Sequence, residues 1–383
     1  MTWEFATAGR ILFGPGAASQ IAPAARAMGK RALLVTGRKP RQAARLVADL
    51  HAAGAGCTPF PTAGEPTLET VRAGVETARR EGCDVVIACG GGSAIDAGKA
   101  IAAMLTNPGD VLDYLEVIGS GRALEFPPLP FIAAPTTAGT GSEATRNAVL
   151  LSPEHGVKAS LRSPMMLPRL AVIDPECMLS VPPEVTAATG LDALSQLLEP
   201  FVSGRANAFT DMLCREGLRR AAACLRRAHA DGADLEARTG MAMASLLSGM
   251  ALANAGLGAV HGFAAPIGGA FPAPHGAVCA ALLAPVTQWN LRALRQREPL
   301  SPALAKYEEA ARLLDPAARS ADDLVDWLEQ IRQDLCIPRL SAYGLREADI
   351  PALCEKAARA SSMKGNPIQL EQSELEAILR AAL

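Results

Sequence analysis

Residues 84–99 read Asp-Val-Val-Ile-Ala-Cys-Gly-Gly-Gly-Ser-Ala-Ile-Asp-Ala-Gly-Lys. An apolar run that meets three glycines and continues into helix-forming sequence describes a buried strand, a tight turn and a helix start. Gly90, Gly91 and Gly92 leave no Cβ between the backbone amides and a ligand, and the free N–H groups at a helix start attract negative charge. The turn is therefore a place to lay a phosphate. Ser93 with Asp96 three positions later also spells a capping box, so the same residues can be read as a helix start that closes on itself without a ligand.

The surrounding pattern sets the fold. Short apolar strands at 31–36, 84–89 and 129–134 alternate with helical stretches at 41–53, 68–81 and 93–105. Strands separated by helices of this length pair in parallel and carry helices on both faces, which is the doubly wound α/β plan. The last strand signal ends at Val172-Ile173-Asp174-Pro175, and beyond Pro182-Pro183 the spacing becomes helical, through 186–203, 209–228 and 235–254. A chain of 383 residues exceeds the usual single domain. Two domains are expected: α/β over 1–180 and all-α over 181–383.

Bulk properties narrow the partners. The net charge is −2 and no segment concentrates Lys and Arg, which argues against nucleic acid or an anionic membrane and favours small molecules. Nine scattered cysteines, none in a Cys-x-x-Cys pair, read as reduced thiols. The start, Met-Thr-Trp-Glu-Phe, has no basic n-region or apolar h-region, so a cytoplasmic chain is expected. Residues 241–260 lack charge and have the length of a membrane span, but Ser245, Ser248, Asn254 and the glycines make a buried core helix the preferred reading.

Two constellations carry chemistry. Pro135-Thr136-Thr137-Ala138-Gly139-Thr140-Gly141-Ser142-Glu143 follows a strand directly and offers hydroxyl and amide donors where open α/β sheets bind ligands. With the Gly90–Gly92 turn it predicts a nucleotide pyrophosphate along the sheet edge. In the helical half, Asp192 and Gln196 share a helix face, and His261 and His275 lie in apolar company. A buried carboxylate needs a compensating charge, and a divalent cation supplies it. His51, His155 and His229 sit at a helix end, in a polar turn and beside Arg226-Arg227, and are read as having no catalytic role.

In this order, Gly90–Lys99, Pro135–Glu143, Asp174-Pro175, Thr189–Glu199 and His261–Gly276 resemble the iron-containing (group III) alcohol dehydrogenase family. The resemblance runs from Arg10–Gly16 to Gly365-Asn366-Pro367 and implies a Rossmann-like N-terminal domain for NAD(P)H and a helical domain for one divalent metal. It places Gly91, Gly92 and Ser93 at the pyrophosphate and Asp96 near the nicotinamide. Thr136, Thr137, Thr140, Thr145, Asn147 and Lys158 match positions lining the cofactor. Asp192, His261 and His275 match metal ligands and carry catalysis through the ion, which the family name makes Fe²⁺, with Zn²⁺ as an alternative.

Three departures stand out. Gln196 replaces a family histidine and is expected as a weaker fourth ligand. Ala265 stands where a second histidine is common, which removes the usual proton relay. Gly37-Arg38-Lys39 replaces an acidic residue after the first strand, which makes room for a 2′-phosphate and favours NADP(H) over NAD(H). The implied reaction is reversible hydride transfer between NAD(P)H and an aldehyde or small ketone. Alternatives are a maleylacetate- or hydroxy-acid-type reductase, a lyase like 3-dehydroquinate synthase, and a catalytically impaired cofactor-binding homologue. By analogy with the family the chain forms a homodimer or higher homo-oligomer, with the short strand Ile11–Phe13 placed to pair across an interface.

Overall fold

The structure, a computed structural model, describes residues 2–38 and 43–383. Lys39 and the first two positions of the helix expected over 41–53 lie outside the described residues. The described chain divides into two compact units: an α/β unit of residues 6–137 and 141–180, and a helical unit of residues 181–383 with residues 138–140 and the N-terminal segment through Phe5.

The α/β unit contains β1 (Ile11–Phe13), α1 (Ile21–Met28), β2 (Arg31–Thr36), α2 (Ala43–Ala52), β3 (Gly56–Pro61), α3 (Leu68–Glu81), β4 (Val85–Gly90), α4 (Gly92–Thr106), β5 (Phe131–Pro135), β6 (Asn147–Ser152), β7 (Val157–Arg162) and β8 (Leu170–Ile173). Six of these strands form a parallel sheet in the order β1-β8-β5-β4-β2-β3. Side chains alternate across it with the two-residue period of a strand. Leu33, Val35, Val86 and Ala88 face a core shared with α3, α4 and the β6–β7 hairpin. Ala32, Leu34, Val85 and Ile87 face α1 and α2. The doubly wound α/β plan expected from the strand and helix spacing is present.

Three features differ from the expectations. β3 is an edge strand whose two prolines face its only partner in register, Pro59 opposite Leu34 and Pro61 opposite Thr36. Proline is tolerated at an edge but hides the strand signal. The antiparallel hairpin β6–β7 flanks the polar Pro153–Gly156 turn, where Gly156 has φ +61°. Finally, Ile11–Phe13 is part of the chain's own sheet: it pairs in parallel with β8, Leu12 opposite Val172, and lies at the sheet's edge.

The helical unit holds α5 (Pro183–Val202), α6 (Ala208–Ala230), α7 (Leu235–Ala255), α8 (Ala259–Ala270), α9 (His275–Arg297), α10 (Pro302–Leu314), α11 (Asp322–Asp334), α12 (Ile350–Arg359) and α13 (Gln372–Ala382). α5 is buried without a break from Gly190 to Val202 and packs into one continuous apolar core. Among the described residues no single helix is long and apolar enough to cross a membrane. The pair α7 and α8 passes by length and composition only when taken together, and it is bent by 100°.

Candidate functional site

α5 brings three polar side chains into the helical core at positions 192, 196 and 199, spaced to share one helix face. Each is at least 95% buried, so each must find a partner or a charge. Asp192 Oδ1 is buried and makes no hydrogen bond. His261, in the first turn of α8, has Nε2 3.4 Å from that oxygen, and His275, the first residue of α9, has Nε2 3.7 Å from it. Cys279, one turn further along α9, places Sγ 3.8 Å from His261 Nε2 and 3.7 Å from His275 Nε2. One donor atom from each of Asp192, His261, His275 and Cys279 lies within 4.8 Å of the other three.

Two neighbours make this convergence possible. Glu199 accepts His261 Nδ1–H at 2.5 Å and the Val260 N–H at 2.7 Å, which turns His261 Nε2 toward Asp192. Gly276 lets α9 approach α5, since a Cβ there would stand 2.2 Å from the Ala188 carbonyl oxygen. Gln196, one turn beyond Asp192, has Oε1 3.2 Å from the Ser248 hydroxyl, which donates to it.

The charges are mutually dependent. Burial pushes the Asp192 carboxyl up, but the two imidazoles outweigh it and hold the group below its ordinary range. Burial pushes His261 down, yet Cys279, Glu199 and Asp192 together raise it well above an ordinary histidine. The Cys279 sulfur, followed by Asp192, raises His275 against burial, and the Cys279 thiol is lowered by both histidines despite its own burial. Such a cluster attracts positive charge.

It also fits a divalent ion. A tetrahedral ion with ligand distances of about 2.0–2.3 Å keeps neighbouring donors about 3.3–3.6 Å apart. Four of the six separations among these donors, 3.4, 3.7, 3.7 and 3.8 Å, are close to that spacing, and the other two are within 4.8 Å. An orphaned carboxylate oxygen at the centre is otherwise costly in an apolar core. Cys279 and Glu199 carried no role in the sequence reading. Their signal is the spacing: Cys279 follows His275 by four and Glu199 follows Asp192 by seven, both on the same helix faces as those residues.

In the α/β unit, α4 begins at Gly92 with Gly91 as its N-cap and no side chain capping it, so the alternative reading of Ser93 and Asp96 as a capping box is not realised. The amide end is left open, as anion binding requires. Gly90 is needed here, since a Cβ would sit 2.7 Å from Ala94 Cβ. Asp96 turns elsewhere: it accepts from Ser142 Oγ and from the Val149 N–H at 3.0 Å. Lys99, 1% exposed, donates to Thr145 O (3.1 Å), Thr145 Oγ1 (2.8 Å) and Asn147 O (2.7 Å). Burial pushes this ammonium down to about 8, and the buried Glu143 carboxyl up to about 7.

The other expected cofactor residues are dispersed. Thr136 donates its N–H to Gly90 O at 2.9 Å, and Thr137 would touch a Cβ placed on Gly91. Thr140, with Ala138 and Gly139, belongs to the helical unit, where a Cβ on Gly139 would meet Thr189 Cβ at 2.6 Å. Lys158 is nearly buried and pairs with Glu65 at 3.1 Å. Gly37 is half-buried with open space around its Cβ position, and Arg38 is exposed beside it.

The profile of the family described as iron-containing alcohol dehydrogenase matches residues 8–175, and that of its C-terminal part matches residues 186–383. The chain belongs to the iron-containing alcohol dehydrogenase family. It is 36% identical over 379 residues to the 1,3-propanediol dehydrogenase of Klebsiella pneumoniae, covering 97% of this chain and 96% of that one. A crystal structure of 1,3-propanediol oxidoreductase shares 35% identity at a TM-score of 0.93, covering 100% of both chains. The sulfoacetaldehyde reductase of Bifidobacterium kashiwanohense, solved in complex with NAD+, shares 31% identity at a TM-score of 0.87, covering 100% of this chain and 99% of that one. The function class of this family member is that of an alcohol dehydrogenase, an oxidoreductase.

Proposed function

We propose that this family member transfers hydride reversibly between NADP(H) and an aldehyde or small ketone, with a divalent metal held by Asp192, His261 and His275. The observation that carries this reading is the convergence of these three side chains around the unpartnered Asp192 Oδ1. The fourth donor comes from Gln196 or Cys279, which stand one helical turn from Asp192 and from His275. The ion, Fe²⁺ by family and Zn²⁺ by ligand tolerance, supplies Lewis-acid polarisation of the carbonyl oxygen when bound.

The remaining work falls to the chain. Glu199 holds His261 in the tautomer that frees Nε2. The open start of α4, with Gly91, Gly92 and Ser93, receives the pyrophosphate. Thr136, Thr137 and Thr140 line the dinucleotide; Asp96, Thr145, Asn147 and Lys158, whose polar atoms are engaged within the α/β unit, shape its walls. Gly37 and Arg38 accept a 2′-phosphate because no carboxylate follows β2. NAD(H) is the second choice, supported by the NAD+ complex of the sulfoacetaldehyde reductase. Ala265 has no titratable group, so the proton reaches the alkoxide from water. The domain boundary near residue 180 and a homo-oligomer, using the edge of β1 that β8 leaves open, belong to the same reading.

Ala265 also favours a second reading, a cofactor-binding homologue without turnover. An aldehyde panel with NADPH and NADH, followed by loss of reduced-nicotinamide absorbance, separates the two. Steady consumption that disappears in His261→Ala together with bound metal supports the proposal. Cofactor binding with no turnover on any carbonyl supports the second reading, and full metal content in His261→Ala removes that residue from the site.

A further inference from the structure

The metal reading leaves the fourth donor open between an amide and a thiol, and the geometry points to the thiol. We propose that Cys279, as thiolate, completes the ligand set in place of Gln196, giving an Asp-His-His-Cys centre. The inference rests on the metal site proposed above and concerns only which atom closes it.

Four observations carry it. Cys279 Sγ lies 3.8 and 3.7 Å from the two histidine Nε2 atoms, the spacing that two nitrogens and a sulfur adopt around a common tetrahedral centre. Cys279 is fully buried and shares helix α9 with His275, four residues away, so the two side chains leave the same face. Asp192 Oδ1, 1% exposed as a residue and without a hydrogen bond, is aimed into the same cluster. Gln196 offers a metal only a neutral amide Oε1, a weaker donor than a thiolate, and that atom stands 3.2 Å from Ser248 Oγ.

Charge supports the same choice. Asp192 and two neutral imidazoles leave a divalent ion with a net charge of about +1 inside an apolar helical core, and an amide does not change that sum. A thiolate makes the centre neutral, which is the cheaper state among groups as buried as Asp192, His261 and Cys279. It also makes the donor set softer, shifting preference from Fe²⁺ toward Zn²⁺. Binding balances simply: the thiol S–H bond breaks, the sulfur donates its pair to the ion, and the proton leaves to solvent.

Cobalt(II) reports sulfur ligation directly, without turnover. The full-length protein is stripped with a chelator and titrated with Co²⁺ alone, and its absorption is recorded for wild type, Cys279→Ala, Gln196→Ala and His261→Ala. The expected result is an intense thiolate-to-cobalt band in the near ultraviolet for wild type and Gln196→Ala. Cys279→Ala loses that band while its visible ligand-field bands remain, and His261→Ala loses both. Ligand-field bands that require His261, with no near-ultraviolet band in wild type or with the band unchanged in Cys279→Ala, overturn the cysteine assignment and leave the metal site standing. Absence of any His261-dependent cobalt spectrum in wild type overturns both. Should Cys279→Ala fail to fold, Cys279→Ser, closer in size and polarity, takes its place with the same expected loss of the near-ultraviolet band and the same overturning result if the band persists.

Discussion

His261 Nδ1 and Glu199 Oε2 stand 2.5 Å apart inside the helical core, with 7% and 6% of their side chains exposed. The other Glu199 oxygen accepts the Val260 N–H, so one carboxylate fixes both the imidazole and the start of the helix that carries it. A carboxylate behind a metal-binding histidine sets its tautomer and strengthens it as a donor. Glu199→Gln keeps the shape and the Val260 contact but removes the charge. Zinc affinity, measured by chelator competition, is expected to fall about 10- to 100-fold. An unchanged affinity would show that Glu199 only supports α8.

Gly276 sits immediately after His275 and faces the backbone of α5. Because Ala188 O and C would lie 2.2 and 2.7 Å from a new Cβ, Gly276→Ala must push one helix away from the other. Overpacking of this kind costs about 1–3 kcal/mol, exceeding the helix-propensity gain of about 1 kcal/mol from glycine to alanine. The variant is expected to lose both stability in urea titrations and metal content, since His275 moves with α9. Wild-type metal content in a destabilised Gly276→Ala would uncouple the packing from the ligand geometry.

Much of this architecture was legible because apolar periodicity is strong in β2, β4, α3 and α5, which are buried through most of their length or on one face. β3 was not legible, because Pro59 and Pro61 interrupt a strand that survives only by lying at the edge. At the site, Asp192, His261 and His275 stood out as polar residues in apolar sequence. Cys279 did not, since a cysteine among alanines and leucines resembles any small core residue until the fold sets it beside two imidazoles. Lys99 is hidden for the reverse reason: a lysine midway along a helix reads as solvated, and only the return of the chain through Thr145 and Asn147 past α4 supplies its three buried acceptors.

Gly37 tests cofactor choice. Its Cβ position is open, so an added side chain needs no rearrangement. Gly37→Asp introduces a carboxylate just after β2, where it can receive ribose hydroxyls and repel a 2′-phosphate. The ratio of kcat/KM for NADPH over NADH is expected to fall about tenfold or more, as opposed like charges cost upward of about 1.4 kcal/mol. A ratio that does not move would place the 2′ position away from residue 37.

Glu329 on α11 provides a pH test outside the cluster of Asp192, His261, His275 and Cys279. Arg332 reaches both its oxygens, from Nε at 3.0 Å and from a terminal nitrogen at 2.7 Å, with Gln333 and Arg339 adding further donors. Arg332 foremost holds this carboxyl down at about 2, against an ordinary value of 4.5. A depressed carboxyl stabilises the fold above its unfolded value and loses that contribution as pH falls through its folded one. The window is therefore pH 4.5 down to about 2. The side chain is 30% exposed, so solvent screening reduces the full linkage value to about 1–2 kcal/mol. Glu329→Gln is expected to be less stable than wild type by that amount in urea at pH 7, with the difference shrinking steadily below pH 4.5 as the wild-type carboxylate takes up its proton. A difference that stays constant from pH 7 into that acid window would mean that the substituted amide loses packing or hydrogen-bond geometry, and that the charge of Glu329 contributes nothing to the fold.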